Sequence, residues 1–140
     1  MENAKNTITV ETTVNASIEK VWRLWTTPGV EVYWNAPNEN WHTTSAESDF
    51  KVGGKFLLRM RLKDGSFAFD HAGIYDRIVP QNLIEYTTID SRKTITTFVA
   101  NGATTQVIET FEPEEQTPFE EQQKFCQGVL NNFKKYVEQA

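Results

Sequence analysis

Apolar and polar residues alternate in short runs as far as Phe111, and after Phe119 the rhythm changes. In the last stretch Phe119, Cys126, Val129, Leu130, Phe133 and Val137 recur at helical spacing. Glu120, Glu121, Gln123, Lys124, Gln127, Asn131, Lys134, Lys135 and Glu138 fall on the other faces. Apolar positions at i, i+3, i+4 and i+7 predict one amphipathic helix over 119–136. A helix of about 20 residues is roughly 30 Å long. A curved sheet laid around it is the simplest way to bury so long a face.

The preceding chain supplies such a sheet. Over 7–14, Ile8, Val10, Thr12 and Val14 alternate with Thr7, Thr9, Glu11 and Thr13, which predicts a half-buried strand. Asn15 or Ser17 can cap a helix carrying Ile18, Val21, Trp22 and Trp25, which Pro28-Gly29 ends. A second short helix follows over 30–34. Strands are expected over 41–50, 55–63, 66–79, 83–90, 94–100 and 104–111. In the clearest of them, Phe56, Leu58, Met60 and Leu62 oppose Arg59, Arg61 and Lys63. Asp64-Gly65 is the dipeptide of a type I′ hairpin turn. Strands joined by tight turns are antiparallel, and strands grouped apart from helices give an α+β domain.

Composition narrows the function classes. The 140 residues fit one domain over 1–140, with 39% hydrophobic and 12% aromatic residues to build its core. A net charge of −5 without a Lys/Arg cluster argues against nucleic acid as a partner. A single cysteine excludes an internal disulfide and favours a reducing compartment. The opening MENAKNTITV has no apolar h-region, and no run reaches the ~18 apolar residues of a membrane span. These features predict a cytoplasmic protein with no membrane partner.

The chain resembles the domain family named for the activator of the Hsp90 ATPase, within the START-like and Bet v 1-like superfamily. The residues that carry the resemblance begin with Ala16-Ser17-Ile18-Glu19-Lys20-Val21-Trp22 and Trp34-Asn35. They continue with Asp49-Phe50-Lys51-Val52-Gly53-Gly54-Lys55-Phe56, Asp64-Gly65-Ser66-Phe67 and Gly73-Ile74-Tyr75. They end with Glu109-Thr110-Phe111-Glu112 and Leu130-Asn131-Asn132-Phe133-Lys134-Lys135-Tyr136-Val137-Glu138. The resemblance implies a helix-grip fold: a curved seven-stranded antiparallel sheet around the C-terminal helix, two short helices after the first strand, and an apolar cavity between. It implies a small-molecule binding protein for a lipid-, polyketide- or phenolic-like ligand. Two alternatives stand beside this: a chaperone-associated protein-interaction domain, and a cyclase or dehydratase using His71 and Glu109. The family usually has Gly-Trp in the last helix where this chain has Phe125-Cys126, and an aromatic or apolar residue in place of His71.

Candidate chemistry is sparse. His42, His71 and Cys126 have no metal-ligand spacing, and no nucleotide-binding glycine motif or nucleophile elbow is present, so neither metal nor cofactor is expected. Strand parity places Phe67, Phe69, His71 and Tyr75 on one face, with Phe56, Leu58 and Met60 facing them. Glu109 shares parity with Val107 and Phe111; it enters the cavity if that face is inward and is solvated if Ile108 is inward instead. Trp34 and Trp41 flank a loop expected near the cavity entrance. Cys126 and Leu130 bring the helix face. These twelve residues, Trp34, Trp41, Phe56, Leu58, Met60, Phe67, Phe69, His71, Tyr75, Glu109, Cys126 and Leu130, are the expected ligand-binding set. Phe125 lies about 100° around the helix from Cys126, so it is expected off the centre of the apolar face, leaving a pocket between Cys126, Leu130 and the His71 strand.

Overall fold

The computed structural model describes residues 7–140. Residues 1–6, the first part of the segment read as lacking a leader, lie outside the described residues. The elements are β1 (Ile8–Val14), α1 (Ile18–Thr26), a 3₁₀ turn (Val30–Tyr33), β2 (Trp41–Ser48), β3 (Lys55–Leu62), β4 (Ala68–Val79), β5 (Leu83–Thr88), β6 (Lys93–Asn101), β7 (Thr104–Phe111) and α2 (Phe119–Gln139). The seven strands form one sheet in the order β1-β7-β6-β5-β4-β3-β2, every neighbouring pair antiparallel. The fold is the α+β helix-grip fold, a curled sheet closed around α2.

Alternation decides which face curls inward. Ile8, Val10 and Val14 of β1, Phe56, Leu58 and Met60 of β3, and Val107 and Phe111 of β7 are all buried, and residues of the opposite parity, such as Thr9, Glu11, Arg59 and Ile108, point outward. Register shifts between Thr43 and Ser45 and between Tyr75 and Arg77 mark bulges that sharpen the bend. From α2, Leu130, Phe133 and Val137 are fully buried in the concave face. Ser17 caps α1, its hydroxyl accepting from the Lys20 amide at 3.4 Å.

The helices seal one end of the half-barrel. Trp25 and Trp34 lie 4.9 and 4.7 Å from Phe133, and Trp22 lies 5.2 Å from Phe98 and 6.0 Å from Phe50, centroid to centroid. The opposite end is formed by the starts of β1, β2 and β4, the β5–β6 turn and the segment from β7 to α2. The registers Trp41↔Leu62, Lys93↔Thr87 and Ile8↔Phe111 bring these pieces to the same edge. Neither α1 nor the 3₁₀ turn covers this end.

Three expectations are corrected. The connection at Asp64-Gly65 is not a type I′ turn, because Gly65 alone has positive φ, at 79°. The strands are closed by Leu62 N–H to Phe67 at 2.9 Å, and the Asp64 carboxylate accepts from the Ser66 amide, giving a wider loop. Phe67 therefore lies before the first residue of β4 and is 56% exposed, outside the interior. Phe119 is 46% exposed at the start of α2. The first inward turn of that helix carries Gln122 instead, whose amide donates to the carbonyls of Glu114 and Thr117 at 3.0 and 2.7 Å.

One strand position is dictated by close approach. A Cβ at Gly73 would stand 2.4 Å from the Thr87 carbonyl and 3.0 Å from the Phe56 ring, so only glycine lets that ring lie across β4. Gly73→Ala is expected to destabilise by roughly 1–3 kcal/mol through overpacking. Phe133→Ala, which empties the sealed end, should lose roughly 3–5 kcal/mol. Urea denaturation measures both; a loss under about 1 kcal/mol for Phe133→Ala would mean that the sheet does not depend on the helix it surrounds.

Candidate functional site

The concave wall away from the sealed end is partly polar. Phe56 lies over Gly73 with three rings around it: Tyr86 at 4.8 Å, Tyr75 at 5.3 Å and His71 at 5.4 Å. His71 Nε2 and the Tyr86 hydroxyl are hydrogen-bonded at 3.1 Å, and the Tyr75 hydroxyl shares a 2.9 Å bond with Ser48. Glu109 points inward between Val107 and Phe111, so the open question of its parity is answered. Thr96 donates to its Oε2 at 3.1 Å. Cys126 faces this wall from α2 and is half-buried, as are His71, Tyr86 and Glu109.

Burial dominates the electrostatics. It lowers the His71 pKa from 6.5 to about 4, with the Arg92 guanidinium adding to the effect and Asp90 opposing it. The imidazole is thus neutral at physiological pH. Burial raises Glu109 from 4.5 to about 7 against the hydrogen bond from Thr96. The Tyr86 phenol is raised by burial and then by the Glu109 charge. Cys126 is pushed up to about 12 by burial first and Glu109 second, so its thiol stays protonated and unreactive. Near the sealed end Glu31, in the 3₁₀ turn, is also raised by burial, and its Oε1 is buried without a hydrogen-bond partner among the described residues.

The expected binding set divides. Phe56, Leu58, Met60, Tyr75, His71, Glu109, Cys126 and Leu130 lie on the inner wall or the helix face against it. Trp34 is not an entrance residue: it is 3% exposed, its Nε1 donates to the Leu24 carbonyl at 3.1 Å, and it belongs to the seal. Trp41 and Phe69 do stand at the open end, in an aromatic lip completed by the exposed Phe67 and by Phe125. Trp41 is 5.3 Å from Phe125 and 5.6 Å from Phe69. Phe125, expected off the centre of the apolar face, lies at this rim. A long helical side chain leans back toward the preceding turn, and this one reaches the sheet.

Two inner residues escaped the sequence reading. Tyr86 shares parity with the buried Ile84 and could have been found by the alternation that found His71. Thr96 lies opposite Glu109 in the register, a pairing that only the β6–β7 alignment reveals. Across the open end from the aromatic lip is a cleft of about 730 Å³ bounded by Asp90, Ser91, Arg92, Glu112, Pro113, Glu114, Glu115 and Gln116. A second cleft of about 500 Å³ lies outside the half-barrel, between the 3₁₀ turn, the start of β2 and the outer side of α2; Trp34, Trp41 and His42 border it. Among the described residues no group of His, Cys, Asp and Glu could hold a metal ion, and no helix is long and apolar enough to cross a membrane.

The chain matches the family described as activator of Hsp90 ATPase homolog 1-like protein over residues 15–138. It is 36% identical to an AHSA1-like protein from Aeromonas hydrophila whose solution structure superposes with a TM-score of 0.87, covering 96% of this chain and 93% of that one. A protein from Cytophaga hutchinsonii, also solved in solution, is 46% identical with a TM-score of 0.81, covering 95% and 92%. A crystal structure from Nitrosomonas europaea shares the fold at a TM-score of 0.83 with 14% identity, covering 99% and 97%. None of the curated proteins matches the chain.

Stability should report the two inner titrations with opposite signs. Glu109 binds its proton more tightly folded than unfolded, so its contribution is present below pH 4.5 and is lost as pH rises toward about 7. His71 binds its proton less tightly folded, so its contribution is present above pH 6.5 and is lost as pH falls toward about 4. Measured against Glu109→Gln, the wild type should therefore lose relative stability across the first window, by up to ~1.4 kcal/mol per pH unit. Denaturation at half-unit pH steps checks this; a flat difference curve would place Glu109 in water.

Proposed function

The chain belongs to the activator of Hsp90 ATPase homolog 1-like family, and on that premise we propose that it binds a small apolar molecule in the space between the sheet and α2. The helix-grip fold commonly binds hydrophobic ligands. The observation that carries the reading here is the state of the inner wall. His71, Tyr86, Glu109 and Cys126 are strongly desolvated yet only half-buried, on the face turned away from bulk water. Side chains in a filled core have no such remaining surface; side chains around an internal space do. Apolar walls with a few convergent polar groups are the usual make-up of a small-molecule site.

Phe56, Leu58, Met60, Phe69 and Leu130 supply the apolar contacts, and the aromatic lip of Trp41, Phe69 and Phe125 bounds the way in. His71, Tyr86 and Glu109 meet the polar end of the ligand. Binding is favoured over acid–base catalysis by the hydrogen bonds. His71 is tied to Tyr86 and Glu109 to Thr96, so the two are not arranged as one acid–base pair.

Native mass spectrometry of the protein purified from its own host is expected to show a retained small molecule. Cys126→Trp adds a large ring beside Glu109 and should block that retention while the fold survives, monitored by the dispersion of the amide NMR spectrum. Retention undiminished in a folded Cys126→Trp variant would place the ligand elsewhere.

A further inference from the structure

Glu109 is the one carboxylate on the concave face of the sheet, and its surroundings leave it unfinished. Thr96 donates to Oε2; Oε1 accepts no hydrogen bond and no Lys or Arg pairs with the group among the described residues. A carboxylate offers about four acceptor sites, and a desolvated one needs them filled. Other donors nearby are few: the Tyr86 hydroxyl shares a hydrogen bond with His71, and the thiol of Cys126 is a weak donor.

The approach to this group has the same sign. At the open end, among the described residues, the carboxylates of Asp90, Glu114 and Glu115 border the cleft together with the cation Arg92. Arg92 is already engaged, its Nε on Asp90 at 2.8 Å and its Nη1 on the Glu112 carbonyl at 3.4 Å. This cleft adjoins the inner wall: Arg92 and Asp90 lie close enough to act on His71, and Arg92 on Cys126. A mouth lined by one sign of charge concentrates the opposite sign. The other side of the opening is the aromatic lip of Trp41, Phe67, Phe69 and Phe125.

We propose that the ligand is an apolar amine, with its ammonium group on Glu109 and its apolar body against Phe56, Leu58 and the aromatic lip. This rests on the reading of the inner space as a ligand site and specifies the polar end of what fills it. An ammonium brings three donors to the unfilled acceptors and the charge that the carboxylate lacks. The rings of Phe56 and Tyr86, 4.8 Å apart at the same wall, add faces and edges that attract a desolvated cation. A ligand carboxylate would instead meet like charge at the mouth and again at Glu109. A neutral alcohol would draw nothing from the acidic mouth.

Three probes of one shape separate the possibilities: 4-phenylbutylamine, 4-phenylbutanol and 4-phenylbutanoic acid, titrated into ¹⁵N-labelled protein at pH 8. The amine is expected to bind about tenfold tighter than the alcohol and to shift the amides around Glu109, His71 and Cys126. In Glu109→Gln that preference should vanish while alcohol binding persists. Equal binding of amine and alcohol, tighter binding of the acid, or a preference unchanged in Glu109→Gln would overturn the amine assignment and leave the apolar site standing. No shift of inner-wall amides with any of the three would overturn both.

Discussion

A curved sheet needs something to curve around, and here the rings at one end supply it. Phe133 of α2 sits among Trp25, Trp34 and, through Trp25, Phe98, and that ring cluster fixes the distance between helix and sheet. Further along α2, Val129 and Cys126 are only partly buried against the same core. Cys126 stands nearer the open end of the same helix, where a bulkier residue would close the space. On the reading proposed above, the difference between a packed core and an internal site is a matter of side-chain volume along a single helix face.

The same geometry sets the chemistry. Threonines and tyrosines on the inner face satisfy one another or the backbone: Thr105 donates to the Ala16 carbonyl at 2.9 Å, and Tyr75 pairs with Ser48. Such neutral groups tolerate a low-dielectric wall when bonded. Glu109 differs because its ionised form has one hydrogen bond and no counter-charge, so burial moves its titration toward neutrality, to about pH 7. A group that changes charge near neutrality beside a neutral imidazole makes the inner wall responsive to whatever enters.

Much of this was legible in the residues. Alternation in 55–63 and 66–79 gave the inward faces of β3 and β4, His71 included, while in 104–111 it left the parity of Glu109 open, which the burial of Val107 and Phe111 decides. It failed where its premise failed. Phe67 has the parity of Phe69, but the loop after β3 is wider than Asp64-Gly65 suggests, so Phe67 precedes the strand and has no face to share. Trp34 shows the limit of reasoning by loop position: an indole near an expected entrance can equally turn into the core, and only the partners at Leu24 and Phe133 decide. Phe125, placed off the centre of the helix face by its angle, still reaches Trp41, because a long helical side chain leans toward the preceding turn.

The arrangement of the open end follows from strand order rather than from any motif. At this end β2 begins with Trp41 and the β3–β4 loop and the start of β4 carry Phe67 and Phe69, whereas the β5–β6 turn and the segment after β7 carry Asp90, Arg92, Glu114 and Glu115. Because these strands are neighbours in one curled sheet, an aromatic half and an acidic half face each other across the opening, beneath the first turns of α2. Neither half is unusual alone; exposed aromatics and solvated carboxylates occur singly on any surface. Set on opposite sides of one opening, with Glu109 behind them, they would offer an apolar contact and a negative field to the ligand proposed above. The sheet's antiparallel register alone enforces that juxtaposition, which is why it could not be read from residues far apart in the chain.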